Sequence, residues 1–349
     1  MIICYFGTYN PNYSRNRILL KGLRENGVKV IECRTNLSGI LKYWDLIKKH
    51  WKIRKDYDIM ITGFAGNHAT ILAKLITRKP IIFDAYLSFY EAMIFDRKQY
   101  SSKSWRAIYF WLIDWLPSKL AYKVLLDTKA HIDYFVETFK ISREKFVCLY
   151  VGSLPEIFFP CQKNVEENEF VVHFHARGVP LQGIEYVLDA AKELENFSQI
   201  KFNIIGNIRK VPAVKKRLDS YNYKNISFIK SISLKELADY INRADIALGI
   251  FGNSQKTKRV IPNKVFEAIA CGKPVITAKT VASEEIFTNN KHLLFCRLGD
   301  GKSIAQNILK LKEDSELRKW LAKNSYQLFV DKFIPKRIAK SLIVAIKNN

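Results

Sequence analysis

Short apolar, β-branched segments alternate with amphipathic helical stretches along all 349 residues of the chain. This alternation is typical of a parallel sheet whose strands are joined by helices. Between two such series lies Leu154–Glu169, which contains two prolines and a polar run and is interpreted as a linker. We therefore predict an α/β fold of two Rossmann-like, doubly wound domains, 1–160 and 161–333, which face a central cleft. The last helix, 334–349, is a candidate to cross back to the first domain.

The predicted strands fall into two series, one for each domain. The first series is Ile2–Phe6, Val28–Cys33, Ile59–Thr62, Ile81–Asp84, Val124–Asp127 and Phe146–Val151. The second series is Phe170–His175, Phe202–Gly206, Ile226–Ile229, Ile246–Ile250, Val275–Thr277 and Leu293–Cys296. Folds of this kind bind ligands beyond the carboxyl ends of their strands, so candidate site residues are sought there.

The chain is strongly basic, with 57 Lys and Arg against 33 Asp and Glu, a net charge of +24. Both halves contribute to this excess, which points to a polyanionic partner or an anionic membrane surface. No helix-turn-helix, RNP or zinc-finger pattern supports a specific nucleic-acid partner. The six cysteines are scattered without metal-ligand spacing, which favours a reducing compartment and no metal site.

The most informative segment runs from Ile261 to Ile276. Pro262 is suited to open a helix over Asn263–Ala270, and that spacing places Lys264 and Glu267 on one helix face. The helix N-terminus and Lys264 would attract phosphate, while the Glu267 carboxylate could accept both hydroxyls of a ribose. The alternative is an ordinary surface Lys–Glu pair.

This segment, read as P-N-K-x-F-E-x-x-A-x-G-K-P-V-I, resembles the nucleotide-sugar-binding segment of the family 4 (group 1) glycosyltransferases, which have the GT-B fold. Phe174–Leu188 is similar to the family's stretch after the first strand of the second domain, where a Gly-rich turn and an Arg hold the diphosphate. Further similarity lies at Ile204–Asn207, which includes Gly206, and at Ala244–Gly249. The resemblance implies that a UDP- or GDP-sugar is the donor substrate and that no separate cofactor is needed.

The resemblance assigns donor roles residue by residue. It implies that Arg177, Gln182, Gly206, Asn263, Lys264 and Glu267 bind the donor, with Arg177 and Lys264 acting on its diphosphate. Two positions depart from the family pattern. Arg259 stands where the family's first donor Glu is expected, and Gln182 stands where a phosphate-binding Lys is usual. Gln182 keeps a hydrogen-bond donor but lacks the charge.

The resemblance also implies a metal-independent reaction that retains the anomeric configuration, with the departing phosphate assisting the acceptor hydroxyl. His68, just beyond a predicted strand, is a candidate to orient a sugar or acceptor hydroxyl, although such a residue often caps a helix. Candidates for the acceptor side are Gly7, Tyr9, Tyr13, Arg15, Asp84 and Asp96-Arg97. Local caps or ion pairs are the alternative for these. His173 and His175 share a strand face and point either to the donor or into the core.

Two tryptophan-containing helices suggest a membrane surface. Ile40–Lys55 is predicted to be a basic amphipathic helix, and Ser104–Leu116 is predicted to be an apolar helix with three further tryptophans. The longest apolar run, Ala107–Ile113, is too short to span a bilayer. The alternative is that both helices pack on the sheet.

The sequence thus predicts a cytoplasmic enzyme, peripherally associated with the inner face of the membrane. It would move a hexose from a nucleotide sugar to a glycan or lipid-linked saccharide, in cell-surface polysaccharide or glycolipid assembly. Two alternatives remain open. One is a sugar-nucleotide epimerase of the same fold, and the other is a non-catalytic, basic adaptor that binds nucleic acid or lipid.

Overall fold

The computed structural model describes residues 1–161 and 169–347. They form two compact units. The N-terminal unit comprises Met1–Val151 together with the chain from Ile334 onward, and the C-terminal unit is Gly152–Phe333. This division falls earlier than residue 160, because Leu154 and Phe158 are buried apolar side chains and not exposed linker residues. The polar run of the predicted linker, Gln162–Asn168, lies outside the described residues.

The N-terminal unit is built on a six-stranded parallel sheet of order β2-β1-β3-β4-β5-β6. Its strands are β1 Ile2–Gly7, β2 Lys29–Arg34, β3 Ile59–Thr62, β4 Ile81–Tyr86, β5 Lys123–Leu126 and β6 Phe146–Cys148. Its helices are α1 Ser14–Glu25, α2 Leu41–Ile53, α3 Asn67–Ile76, α4 Trp105–Leu120 and α5 Lys129–Phe139, with a π-helical turn at Glu91–Asp96. The central strands are buried almost throughout, as expected for a parallel sheet covered on both faces.

The C-terminal unit repeats this plan, with the strand order β12-β11-β10-β7-β8-β9. Its strands are β7 Phe170–His175, β8 Ile200–Ile205, β9 Ile226–Ile229, β10 Ile246–Leu248, β11 Val275–Ala278 and β12 Leu294–Cys296. Its helices are α6 Ile184–Glu193, α7 Pro212–Ser220, α8 Leu234–Arg243, α9 Asn263–Ala270, α10 Val281–Glu284, α11 Gly301–Glu313 and α12 Ser315–Lys332. The strand order reverses between β7 and β10, which opens a crevice at their carboxyl ends. The predicted α/β class with two doubly wound parallel sheets is confirmed.

The last helix, α13 Pro335–Lys347, packs on α1 in the N-terminal unit. The two backbones approach closely at Gly22, where a Cβ atom would lie 2.0 Å from the carbonyl oxygen of Pro335. Asn26 adds a hydrogen bond from its Nδ2 to the carbonyl of Lys336, at 2.8 Å. The final segment of the chain therefore completes the unit with which the chain begins.

Candidate functional site

The crevice of the C-terminal unit lies where the loops after β7, β8 and β10 meet. Gly206, directly after β8, has a φ of 122°, and a Cβ there would lie 1.9 Å from the carbonyl oxygen of Ala176. No side chain fits this close approach, so the position requires glycine. The loop after β10 bonds to the loop after β7 through its backbone: Phe251 N–H donates to the Gln182 carbonyl at 3.2 Å. Three loops are thereby fixed around one crevice.

Arg177 and Gln182 both belong to the loop after β7. The Oε1 of Gln182 accepts a hydrogen bond from the backbone N–H of Arg177 at 2.9 Å. Gln182 therefore holds the shape of this loop, and only its Nε2 amide group can donate to a ligand. The Arg177 side chain is exposed beside the crevice. It remains a cation that an anionic ligand could reach.

Helix α9 supplies the charged side chains of the crevice. It begins after Pro262, which has an extended conformation, and no side chain caps the N-terminus. Asn263 is the first helical residue and is partly exposed, whereas Lys264 and Glu267 are buried one turn apart. A helix N-terminus with no acidic residue in its first turn presents a positive dipole end to anions. Arg259 is half-buried on the short turn that precedes this helix.

Lys264 is a buried amine in the crevice. Its residue is 4% exposed, and its Nζ atom has no hydrogen-bond partner among the described residues. The Nζ atom lies 3.8 Å from the centroid of the Phe174 ring, so its contact is a cation–π one. Burial lowers the pKa of Lys264 from 10.5 to about 7, although the charge of Glu267 opposes this. An amine held in this way can be stabilised by an arriving anion.

Glu267 ends a chain of polar contacts that begins on β7. Its Oε2 atom lies 3.0 Å from Nε2 of His175, and Nδ1 of His175 lies 3.0 Å from Nε2 of His173. Burial lowers the pKa of His175 despite the opposing charge of Glu267. Burial, His175 and Lys264 hold the pKa of His173 well below its usual range. Both imidazoles are therefore neutral and lie in a row that leads to the carboxylate. Among the described residues, Oε2 of Glu267 has no aligned hydrogen-bond donor.

In the N-terminal unit, four residues expected on the acceptor side lie inside the unit. Arg15 is 1% exposed on α1 and not on a loop, and its guanidinium forms a bidentate ion pair with Asp84, at 2.9–3.1 Å. Tyr9 is 3% exposed and donates to Glu32 at 2.8 Å. Gly7 is buried at the end of β1. The side chains of Arg15, Asp84 and Tyr9 therefore pair inside the unit, and an acceptor role for these positions stays a prediction.

His68 lies at the surface of the N-terminal unit, as the second residue of α3. Its Nε2 atom is 3.1 Å from the hydroxyl of Tyr109 on α4. Burial and the nearby charge of Lys42 on α2 lower its pKa. His68 is thus a neutral surface imidazole at the junction of α2, α3 and α4.

Sequence reasoning missed a buried triad in the N-terminal unit. His131 lies between Asp127 and Glu91, with its Nδ1 atom 2.6 Å from Asp127 and its Nε2 atom 3.1 Å from Glu91. Burial opposes a charge on His131, but the two carboxylates outweigh it and raise its pKa to about 9. The Asp-x-x-x-His spacing after a strand was the available signal, but Glu91 is 40 residues away in sequence.

An Asp-x-Asp sequence, Asp56-Tyr57-Asp58, precedes β3. Its second carboxylate accepts a hydrogen bond from the backbone N–H of Ile2, at 2.7 Å. Within the described residues, no group of three or more His, Cys, Asp or Glu side chains is arranged to hold a metal ion. The Asp58 carboxylate therefore fixes the start of β1.

Two doubly wound parallel sheets, each with a crevice at its strand ends, define a two-domain α/β protein of the GT-B class. Residues 156–328 match the family described as "Glycosyl transferases group 1". This region of the chain is that of a group 1 glycosyltransferase.

Curated relatives and a solved structure agree with this assignment. The chain is 25% identical over 191 residues to an uncharacterized glycosyltransferase of Methanocaldococcus jannaschii, covering 55% of this chain and 50% of the relative. It is 24% identical over 216 residues to the N,N'-diacetylbacillosaminyl-diphospho-undecaprenol alpha-1,3-N-acetylgalactosaminyltransferase of Campylobacter jejuni, covering 61% and 54%. These matches span about half the length of either relative. The crystal structure of Anabaena HepE, in complex with UDP and glucose, superposes with a TM-score of 0.73 at 15% identity and covers both chains completely.

Proposed function

We propose that this protein is a retaining hexosyltransferase of glycosyltransferase family 4. It moves a sugar from a nucleotide-diphosphate donor to a hydroxyl of a glycan or lipid-linked saccharide, in cell-surface polysaccharide or glycolipid assembly. The observation that carries the proposal is the pairing, on one turn of α9, of a buried carboxylate and a buried amine that has no hydrogen-bond partner within the described part of the chain. A diphosphate and a ribose are the two chemical groups that such a pair complements.

The charges of the site explain how the donor would be activated. Breaking the bond between the anomeric carbon and the phosphate oxygen places negative charge on the departing diphosphate. Lys264, Arg177 and the N-terminus of α9 stabilise that charge, and no metal ion is needed for it. The acceptor oxygen bonds to the face from which the phosphate departs, and its proton passes to the phosphate oxygen. Positioning then contributes more than a protein nucleophile.

The named relatives favour particular substrates. HepE was solved in complex with UDP and glucose, which favours UDP over GDP as the nucleotide of the donor. The Campylobacter relative is named for transfer to a diphospho-undecaprenol-linked sugar, which favours a lipid-linked acceptor.

Incubation with UDP-, GDP- and ADP-sugars and a lipid-linked saccharide tests the proposal, and transfer of the sugar is expected. Appearance of an epimer from the donor alone would overturn it in favour of an epimerase.

Glu267→Ala is expected to weaken UDP binding by about 10- to 150-fold, because each hydrogen bond to a charged group contributes about 1.5–3 kcal/mol. Titration calorimetry with UDP measures the loss. Glu313→Ala, an exposed position on α11, is the matched control and should bind as the wild type does. Unchanged affinity in Glu267→Ala would contradict the role of this carboxylate in holding ribose.

Exposed aromatic residues on α2 and α4 support peripheral attachment to a cytoplasmic membrane surface. Trp44 and Trp51 on α2 are 66% and 64% exposed, and Trp105 and Ile108 on α4 are 70% and 62% exposed. The α2 helix also carries exposed lysines, Lys48, Lys49 and Lys52. Apolar side chains beside basic ones suit an anionic bilayer interface. Within the described residues, no helix is both long and apolar enough to cross a bilayer.

Replacing Trp44 and Trp105 together by serine is expected to weaken binding to phosphatidylglycerol-containing vesicles by tenfold or more. The reason is that each large apolar side chain contributes about 1.5–3 kcal/mol when it is fully buried. Vesicle sedimentation measures the effect. Trp320→Ser is the control, because Trp320 is 51% exposed on α12 of the other unit. Equal vesicle binding by all three proteins would rule out this surface.

A further inference from the structure

Two histidines of β7 lie directly behind the carboxylate proposed to hold ribose. His173 is 1% exposed, and the His175 side chain is 18% exposed. They lie on the same face of the strand, since they are two residues apart. The three side chains form one line, from His173 through His175 to Oε2 of Glu267, with both contacts at 3.0 Å. Oε2 is buried and has no aligned hydrogen-bond partner among the described residues, so its 3.0 Å contact with Nε2 of His175 is the close approach of a possible donor. We assign the other oxygen, Oε1, to the ligand.

The protonation of this line follows from its chemistry. An ionised carboxylate can only accept, so His175 must direct its Nε2–H towards Glu267. A neutral His175 then has a bare Nδ1, which accepts from the Nε2–H of His173. The pKa values of both histidines are lowered by burial, and the charges of Lys264 and Arg177 further lower that of His175, so both rings stay neutral. In this arrangement Nδ1 of His173 is buried without a hydrogen-bond partner among the described residues.

We propose that His173 and His175 are positioning residues, which hold the Glu267 carboxylate in the orientation that distinguishes ribose from deoxyribose. This inference rests on the proposed binding of a nucleotide by Glu267. The imidazole of His175 fixes one carboxylate oxygen from behind, and His173 fixes the tautomer of His175, as an outer partner does for a metal-bound histidine. The free oxygen, kept as an acceptor, then prefers a sugar that offers two adjacent hydroxyl donors.

A core-packing role for the histidines would not explain this alignment. Phe170, Val172 and Phe174 already give β7 an apolar face in the main core of the unit. A buried carboxylate oxygen without a donor is costly, and Nε2 of His175, 3.0 Å away, is a group that can supply one. Two charged residues of neighbouring elements also act on His175. Lys264 lies on α9 with Glu267, and Arg177 lies on the loop after β7.

The ratio of dissociation constants for a ribonucleotide and its 2′-deoxy counterpart tests the proposal. Calorimetry with UDP, GDP and ADP and their 2′-deoxy forms is performed on the wild type and on His175→Phe, His175→Gln, His173→Phe and Glu267→Gln. We expect the wild type to prefer the ribonucleotide by about tenfold, the value for one hydrogen bond to a charged group. We expect His175→Phe to reduce this ratio to near one while binding the deoxynucleotide as well as the wild type does.

The other variants separate positioning from folding. His175→Gln keeps an N–H donor for Glu267, so it should restore most of the preference, and His173→Phe should show a partial loss. Deoxynucleotide binding shows in each case that the variant is folded. A preference that is lost in Glu267→Gln but kept in His175→Phe overturns the inference alone. A wild type that binds none of the nucleotides overturns the proposed function and the inference with it.

Discussion

Replacing Lys264 by methionine is expected to lower turnover by about 10²–10³-fold, the usual cost of removing one preorganised group that stabilises the transition state. The amine is buried in the crevice and has no protein counterion among the described residues, so its charge is available to a departing diphosphate. Steady-state kinetics with a saturating acceptor measure the loss, which should appear in kcat. Lys235→Met, an exposed change on α8, is the control and should be neutral. An equal loss in acceptor affinity would contradict the assignment to the leaving group.

The same change should make the protein more stable. Burial of a charged amine without a hydrogen-bonded partner is costly, so an apolar side chain of similar volume should raise the free energy of unfolding. The pKa of Lys264 is about 7 in the fold and 10.5 in an ordinary setting, so the unfolded chain binds more protons between these values. The free energy of unfolding should therefore rise with pH across that window in the wild type, but not through this group in Lys264→Met. Donor affinity should fall over the same window, because the amine loses its proton.

Arg15→Met is expected to lower the free energy of unfolding by about 3–5 kcal/mol, because it leaves the Asp84 carboxylate buried and unpaired. Both side chains are at most 1% exposed, and Arg15 also donates to the carbonyl of Leu149, at 2.6 Å. The double variant Arg15→Met with Asp84→Leu should recover much of the loss. Chemical denaturation followed by circular dichroism measures each step.

A surface pair in the same unit provides the control for this result. Arg143 and Asp133 form an ion pair with both side chains about half exposed, so Arg143→Met should cost no more than about 1 kcal/mol. An equal loss in the free energy of unfolding for Arg15→Met and for the double variant would show that the loss comes from packing and not from an unpaired charge.

Elements governed by local chemistry could be predicted well from the sequence. Helix α9 was expected at Asn263–Ala270 and is observed there, since Pro262 begins it and glycine follows it. The strand Phe170–His175 was likewise predicted with its observed bounds. The strand predicted at Phe146–Val151 ends at Cys148 instead. Apolar character continues past that point, but there the Leu149 carbonyl turns to accept from Arg15.

Contacts between distant segments could not be predicted. Arg15 follows a glycine turn in sequence and suggested an open loop, but its partner Asp84 is 69 residues away. The two histidines of β7 were expected on one face, yet nothing in the sequence showed that Glu267 would meet His175. The orientation of α9 against β7 decides that contact, and it depends on the packing of the whole sheet.

The return of α13 to α1 has a consequence for the order in which the protein is made. A ribosome releases residues from the amino end first, so all of the C-terminal unit emerges before Ile334. The α1 surface around Gly22 therefore stays uncovered until Pro335 and the residues after it have been synthesised. The unit whose synthesis starts first is thus completed last, after the C-terminal unit has been synthesised.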